Sequence, residues 1–321
     1  MAENSTDSSK FLEIRDAIFT DADEWAEAAA GWDLDFQQLD CGRLSARIEV
    51  TALNGLTTQY VSLSRRFHQM GASPNGTITL AFPDESETVQ WFGAVSLKDG
   101  LQNFSIENGF ECVSEAGFGA HTLSIPTSTF LAESRALGSD LDERKFTHGP
   151  EQFRIAEVHI RRLRALLLLL QQCCRGKHSP LPDTSDLVSD IRYILAVSLV
   201  DGDEQRPLEN RASRQRAVDR AVELIRTTGG MVSLPDVCEC AAVSARSLSR
   251  GFSERIGLST KQYIVATRLA AARRRLRQTG QNVTDVAHAS GFWHLGRFAR
   301  DYRNMFGEKP SETAGRASPH S

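Results

Sequence analysis

The spacing of hydrophobic residues changes character along the chain. From residue 33 to 125 the apolar positions fall in short runs, many alternating with polar ones and rich in β-branched and aromatic side chains. That period of two predicts strands over Phe36–Leu39, Arg43–Leu53, Thr57–Ser64, Thr77–Phe82, Trp91–Leu97, Asn103–Ile106, Glu111–Val113 and Thr122–Ile125. Asn54-Gly55, Pro74-Asn75-Gly76, Asp99-Gly100 and Asn108-Gly109 separate them as turns. Short strands at such regular spacing predict one antiparallel sandwich or barrel, whose interior suits a small ligand. A filled barrel that serves only to dimerise fits the same pattern. Ahead of the strands, residues 21–31 read as a short acidic helix. Residues 1–20 are expected to be disordered, and Met1–Lys10 lacks the apolar core of a signal peptide.

From Pro126 the period lengthens. Pro126–Leu137 reads as a helix with proline at its first position, and Gly138–Gly149 as a polar loop. Glu151–Cys174 reads as a long helix whose Ile155, Val158, Leu163, Leu166, Leu167 and Leu170 share a buried face. With a helix at Leu187–Leu199, it either covers the β-rich part or meets a second subunit. The β-rich stretch 33–125 and the helical stretch 126–200 thus make one unit, residues 21–200. A linker follows at 201–213, marked by Gly202 and Pro207 among charges.

The strongest periodic signal lies between Ser233 and Ser311, where one plan occurs twice. Leu234, Asp236, Val237, Arg250, Phe252 and Gly257 recur as Val283, Asp285, Val286, Arg300, Tyr302 and Gly307. The offset is 49 before the turn and 50 after it, so the second copy gains one residue near the start of its second helix. Each copy reads as a helix, a sharp turn and a second helix. Ser233 with Asp236, Asn282 with Asp285, and Ser259 with Gln262 supply N-cap acceptors and a carboxylate or amide three residues on. The helix from Ser259 to about Gln278 joins the copies. Some twenty residues at about 1.5 Å each give about 30 Å, close to the ~34 Å of one DNA turn.

Charge sharpens this picture. The formal net charge of −4 conceals a segregation. Residues 1–150 carry 10 Lys/Arg against 23 Asp/Glu, residues 151–212 carry 9 of each, and residues 213–321 carry 18 against 9. The basic excess coincides with the repeated helix pairs and points to a polyanion. Other chemistry finds little support. His68 and His121 are isolated and lack the His-x-His grouping of a metal site, and the six cysteines show no zinc spacing. No nucleophilic triad, phosphate loop or carboxylate pair has motif spacing. The chain is therefore read as no enzyme, with no metal or cofactor; the alternative is a small-molecule enzyme or sugar-binding protein with a basic appendage. The longest apolar run, Ala165–Leu170, is far too short to span a membrane, and free thiols in a cytoplasmic compartment are expected.

The residues of the repeat also carry a resemblance. Leu234-Pro-Asp-Val with Ser244-Ala-Arg-Ser-Leu-Ser-Arg-Gly-Phe252, and Gly291-Phe-Trp-His-Leu-Gly-Arg-Phe-Ala-Arg-Asp-Tyr-Arg303 with Phe306-Gly-Glu-Lys-Pro-Ser311, resemble the DNA-binding domain of AraC/XylS-type transcriptional regulators. The resemblance covers residues 214–313 and leaves 314–321 as a tail. It implies a multidomain protein: an N-terminal, mostly-β, cupin-like barrel plus helices for effector binding or dimerisation, and a C-terminal all-α domain with two helix-turn-helix motifs. It implies double-stranded promoter or operator DNA, an unknown small-molecule effector, RNA polymerase and a second copy of the chain as partners, and usually activation. Arg246, Ser249 and Arg250 fall on the first reading helix, and His294, Gly296, Arg297 and Arg300 on the second. Ser244, Arg268, Arg273, Arg274 and Arg303 are expected at phosphates, where contacts add affinity without sequence information. Ala242 departs from the pattern, standing where the first turn often has glycine. Trp32–Leu39 followed by Gly42 resembles the family loosely and does not identify an effector.

Overall fold

The computed structural model describes residues 13–29, 31–84, 89–96, 100–139, 141–175, 184–200, 203–205, 212–278 and 281–316. The predicted disorder of residues 1–12, most of the 201–213 linker and the tail beyond Arg316 lie outside them. The N-terminal half begins with β1 (Glu13–Phe19), α1 (Ala22–Ala28), β2 (Asp33–Gln38), β3 (Ala46–Leu53), β4 (Leu56–Leu63), β5 (Phe67–Ala72) and β6 (Thr77–Pro83). It continues with β7 (Val89–Trp91), β8 (Ala94–Val95), β9 (Gly100–Asn103), β10 (Phe110–Ser114) and β11 (Gly119–Pro126). Helices α2 (Thr127–Ala136) and α3 (Arg144–Thr147), strand β12 (Gln152–Arg154), helices α4 (Glu157–Arg175) and α5 (Ser185–Val200), and strand β13 (Asp203–Gln205) complete it.

The strands form two antiparallel sheets with their own edges. Eight follow the order β1-β3-β4-β11-β6-β9-β12-β13 and five the order β2-β5-β10-β7-β8. This is a two-sheet sandwich, and among the described residues no barrel closes. Alternation along a strand specifies which face is buried but not whether edge strands meet. Three further expectations change. Glu13–Phe19, within the stretch expected to be disordered, pairs along its whole length with β3. Gln152–Arg154 pairs with β9 before α4 begins, so the predicted helix starts later, and Val158 points outward at 48% exposure. Within the predicted linker, Asp203–Gln205 pairs with β12.

The layers follow from burial on both sheet faces. Leu80 and Phe82 of β6 and Leu123 and Ile125 of β11 join the core beneath α2, α4 and α5. Ile160, Leu163, Leu167 and Leu170 supply the inner face of α4, each leucine contributing about 1.5–3 kcal/mol when buried. The opposite face of the eight-stranded sheet and the inner face of the five-stranded one enclose Phe36, Ala46, Ile48, Phe67, Trp91 and Phe110. The outer face of the five-stranded sheet meets the C-terminal half. That half comprises α6 (Ala212–Thr227), α7 (Leu234–Ala241), α8 (Ala245–Arg255), α9 (Thr260–Leu276), α10 (Val283–Ala289), α11 (Leu295–Phe306) and α12 (Pro310–Arg316).

This last junction is apolar at its centre and strongly polar around it. Leu39 and Val113 pack into the core of α6–α8. Glu111 is 8% exposed and accepts from His68 Nε2 at 2.8 Å and from Arg255 Nε at 3.0 Å. His68 Nδ1 pairs with the Tyr263 hydroxyl at 2.8 Å. Arg255 Nη1 also meets Asp219 at 2.6 Å, and Arg226 pairs with Asp35. Farther along, Arg273 meets Asp21 at 2.9 Å and Arg277 meets it at 3.2 Å. Gln38 Nε2 donates to the Met305 carbonyl at 2.8 Å. His68, which reads in the sequence as an isolated histidine, thus belongs to the contact between the two halves.

Two outcomes follow for this junction. Arg255→Ala leaves Glu111 buried and short of its cation, and a loss of about 3–5 kcal/mol is expected in urea unfolding. Burial pushes the Glu111 carboxyl up, but the hydrogen bond and charge of His68 and those of Arg255 outweigh it and hold it at about 2, against 4.5 unperturbed. Its contribution is therefore complete above pH 4.5 and lost as pH falls toward 2; Glu111→Gln should flatten that part of a stability–pH curve.

Candidate nucleic-acid interface

Both helix pairs form as the repeat predicts, with local chemistry setting their ends. Ser233 accepts from the Asp236 amide at 3.3 Å while Asp236 accepts from the Ser233 amide at 3.2 Å, closing a capping box on α7. Ser259 and Gln262 do the same for α9. In the second copy Asn282 accepts from the Thr284 amide at 2.7 Å instead, so Asp285 takes no part in a reciprocal box. The turns differ as well. Ala242 ends α7 with φ 55° and ψ 39°, a left-handed conformation that glycine adopts at Gly291 in the other copy. The second turn, Ser290–His294, is longer than the first and accommodates the extra residue.

The second helix of each pair divides into an inner and an outer face at the 3.6-residue period. In α8, Leu248 and Phe252 are buried while Arg246 and Arg250 are exposed and Ser249 is half-buried. In α11, Phe298, Tyr302, Met305 and Phe306 are buried, and Arg297, Arg300 and Arg303 project outward. His294 is the N-cap of α11, and a side chain at Gly296 would meet nothing within 4 Å. Packing within the chain therefore does not demand glycine there. Arg250 pairs with Glu254 at 2.7 Å and Arg297 with Asp301 at 3.4 Å, each one helical turn on. Trp293, at the entrance to α11, is 75% exposed and stacks on His288.

The residues expected at phosphates divide differently. Ser244 is exposed and caps α8, accepting from the Ser247 amide at 3.2 Å. Arg303 is exposed. Arg268 donates to the carbonyls of Gly230 and Val232 at 2.6 and 3.1 Å, tying the entry of α7 to α9. Arg274 lies 3.7 Å from Asp23 with its side chain 45% exposed. Arg273 is 7% exposed, stacked over Phe306 and paired with Asp21 and Glu308. In this arrangement Arg273 is enclosed between the two halves and cannot reach a phosphate. An arginine-rich helix reads alike whether its cations face DNA or a protein carboxylate.

The spacer helix α9 supports both units at once. Tyr263 and Ile264 belong to the first core, while Ala266, Leu269, Ala272 and Leu276 belong to the second. Its 17 residues span about 25 Å, a little less than the sequence suggests. Both outer faces carry exposed arginines, and carboxylates of the N-terminal half engage arginines of α8 and α9 behind them.

A helix-turn-helix domain family matches residues 237–316. Over 88 residues the chain is 42% identical to XylDLEGF operon transcriptional activator 1 of Pseudomonas putida, covering 26% of this chain and 27% of that protein. It is 28% identical over 174 residues to the HTH-type transcriptional activator RhaS of an Enterobacter species, covering 54% and 60% of the two chains. A solved structure described as a probable AraC family transcriptional regulator from Rhodopseudomonas palustris is 37% identical, with a TM-score of 0.31, over 32% of this chain and 98% of that one. The C-terminal domain is of the AraC/XylS type. The matched segments span about a quarter to three-fifths of these curated relatives.

Within the AraC/XylS-type domain, the first turn offers a direct check. A non-glycine residue in the left-handed region costs about 1–2 kcal/mol, against about 0.4–1 kcal/mol of extra unfolded-state entropy for glycine. Ala242→Gly should therefore stabilise the protein by roughly 0.5–1 kcal/mol, read as a higher urea midpoint at an unchanged slope.

Proposed function

We propose that this chain is a sequence-specific DNA-binding transcriptional regulator, an activator that responds to a small-molecule effector. The observation that carries this reading is the pair of helices α8 and α11, each buried on one face by its own core and presenting arginines on the other. Arg246, Ser249 and Arg250 on one helix, and His294, Gly296, Arg297 and Arg300 on the other, are the base-reading groups. Arginine can donate two hydrogen bonds to guanine O6 and N7 in the major groove. Ser244 and Arg303 flank them at the backbone, with Arg274 at the margin, whereas Arg268 and Arg273 act in holding the domain together. RNA polymerase is the partner through which an activator works, and the cytoplasm is where both are found. Among the described residues no helix is long and apolar enough to cross a membrane.

A homodimer is part of the proposal. Val158, Leu168 and Leu169 of α4 and Tyr193 of α5 are each about half exposed on the helical layer, where a second copy would cover them. Sedimentation of the full chain at micromolar concentration should show a dimer, and Leu168→Glu with Leu169→Glu a monomer.

Selection of the full chain against random duplexes tests the reading. A two-part site with its elements about 10–10.5 base pairs apart is expected, bound with an affinity that falls steeply as salt rises. Indifference to both sequence and salt would reject the proposal. Arg297→Ala and Arg300→Ala should each relax preference at one base position, worth about 1–3 kcal/mol, while Arg303→Ala weakens all sequences about equally.

A further inference from the structure

Between the two sheets lies a cavity of about 70 Å³, partly open to solvent. Its wall is aromatic, with Trp25, Trp91 and Phe104 among its members, and among the described residues no charged side chain lines it. A charged ligand would leave water there without meeting a counter-charge. A polyhydroxylated one would need a partner for each hydroxyl, and the wall has few to give. Gln69 already donates to the Ser114 hydroxyl at 3.0 Å. Gln102 is different: it is 4% exposed, and its Nε2 finds no hydrogen-bond partner among the described residues. The Trp32 indole Nε1 on the same wall is buried and likewise unpartnered. Buried donors in folded proteins are paired in nine cases of ten or more, so two such donors around one apolar cavity point to an acceptor that comes from outside the chain.

We propose that this cavity binds a neutral, largely apolar small molecule carrying a carbonyl-type acceptor, such as a ketone, ester or amide on a small ring or short chain, received by Gln102 Nε2–H with Trp32 Nε1–H as a second donor. The enclosed space holds the acceptor and the few atoms next to it, and the rest of the ligand extends to the mouth. The inference rests on reading the N-terminal half as the effector-sensing part and gives that part a ligand class. Its place in the fold supports a regulatory role. Strands β5 and β10 turn Gln69 and Cys112 toward the cavity, and turn His68 and Glu111 toward Tyr263 and Arg255. A single sheet separates the ligand from the contacts that hold the DNA-binding domain.

Cyclopentanone and its hydrocarbon isostere methylenecyclopentane are the probes, used with the full chain labelled at the indole nitrogens. Trp25, Trp32 and Trp91 line the cavity, whereas Trp293 stands exposed on the DNA-binding domain and serves as an internal reference. Cyclopentanone should shift the Trp32 N–H resonance, identified with Trp32→Phe, and leave Trp293 in place. In Gln102→Met the ratio of ketone to hydrocarbon affinity should fall about fivefold to tenfold, the worth of one hydrogen bond to a buried donor. A ratio unchanged in Gln102→Met, or a Trp32 resonance unmoved by tens of millimolar cyclopentanone, overturns the proposal. If Gln102→Met does not fold, the Trp32 result in the unaltered chain decides. DNA binding by the same preparation separates the two readings: a chain that binds DNA and ignores the ketone loses the ligand site alone, and one that binds the ketone without DNA loses the regulator.

Discussion

A buried carboxylate must be met by cations and donors or it will not remain ionised. Glu111 satisfies that requirement with one group from its own sheet, His68, and one from the C-terminal helical domain, Arg255. Tyr263, from the spacer helix, closes the set through the other histidine nitrogen. The first helix-turn-helix unit is thereby fixed to the outer face of the five-stranded sheet by directional contacts in addition to apolar ones. Leu39 and Val113 add apolar packing to the same junction, and the burial of Glu111 and Arg255 strengthens their charge interaction relative to the surface.

The same sheet reaches the second unit at a separate place. Asp21, which caps α1 by accepting from the Asp23 amide, also receives Arg273 and Arg277 of α9. Gln38 and the Gly42 amide bond to carbonyls at the end of α11. The excess of carboxylates in the first 150 residues and of cations in the last hundred or so is in part an internal complementarity. The arginines of the C-terminal domain serve two ends: those at the back of α8 and α9 meet carboxylates, and those on the outer faces of α8 and α11 remain exposed.

Much of the C-terminal domain could be read directly from residue order, because each of its signals is local. Capping pairs such as Ser233 with Asp236, the apolar positions Leu248 and Phe252, and the outward arginines of α11 all act within a turn or two of helix. Where a feature depends on distant partners, residue order alone does not carry it. Strand β5 shows no alternation in the sequence because both its faces are covered, which mixes His68 and Gln69 among apolar neighbours. Val158 matched a buried period yet faces outward, since β12 takes up the start of the segment expected to be helical.

What the sequence determined by itself was therefore the repeated helix pair, its caps and its outward faces, all set by interactions over three or four residues. The tertiary structure decided which arginines are exposed. Arg273 and Arg300 are the same kind of residue on the same kind of helix, and the approach of Phe306, Glu308 and Asp21, the last some 250 positions away, encloses only the first. It also decided that the strands make two open sheets with a cavity between them, because edge pairing and enclosed volume depend on how distant segments meet.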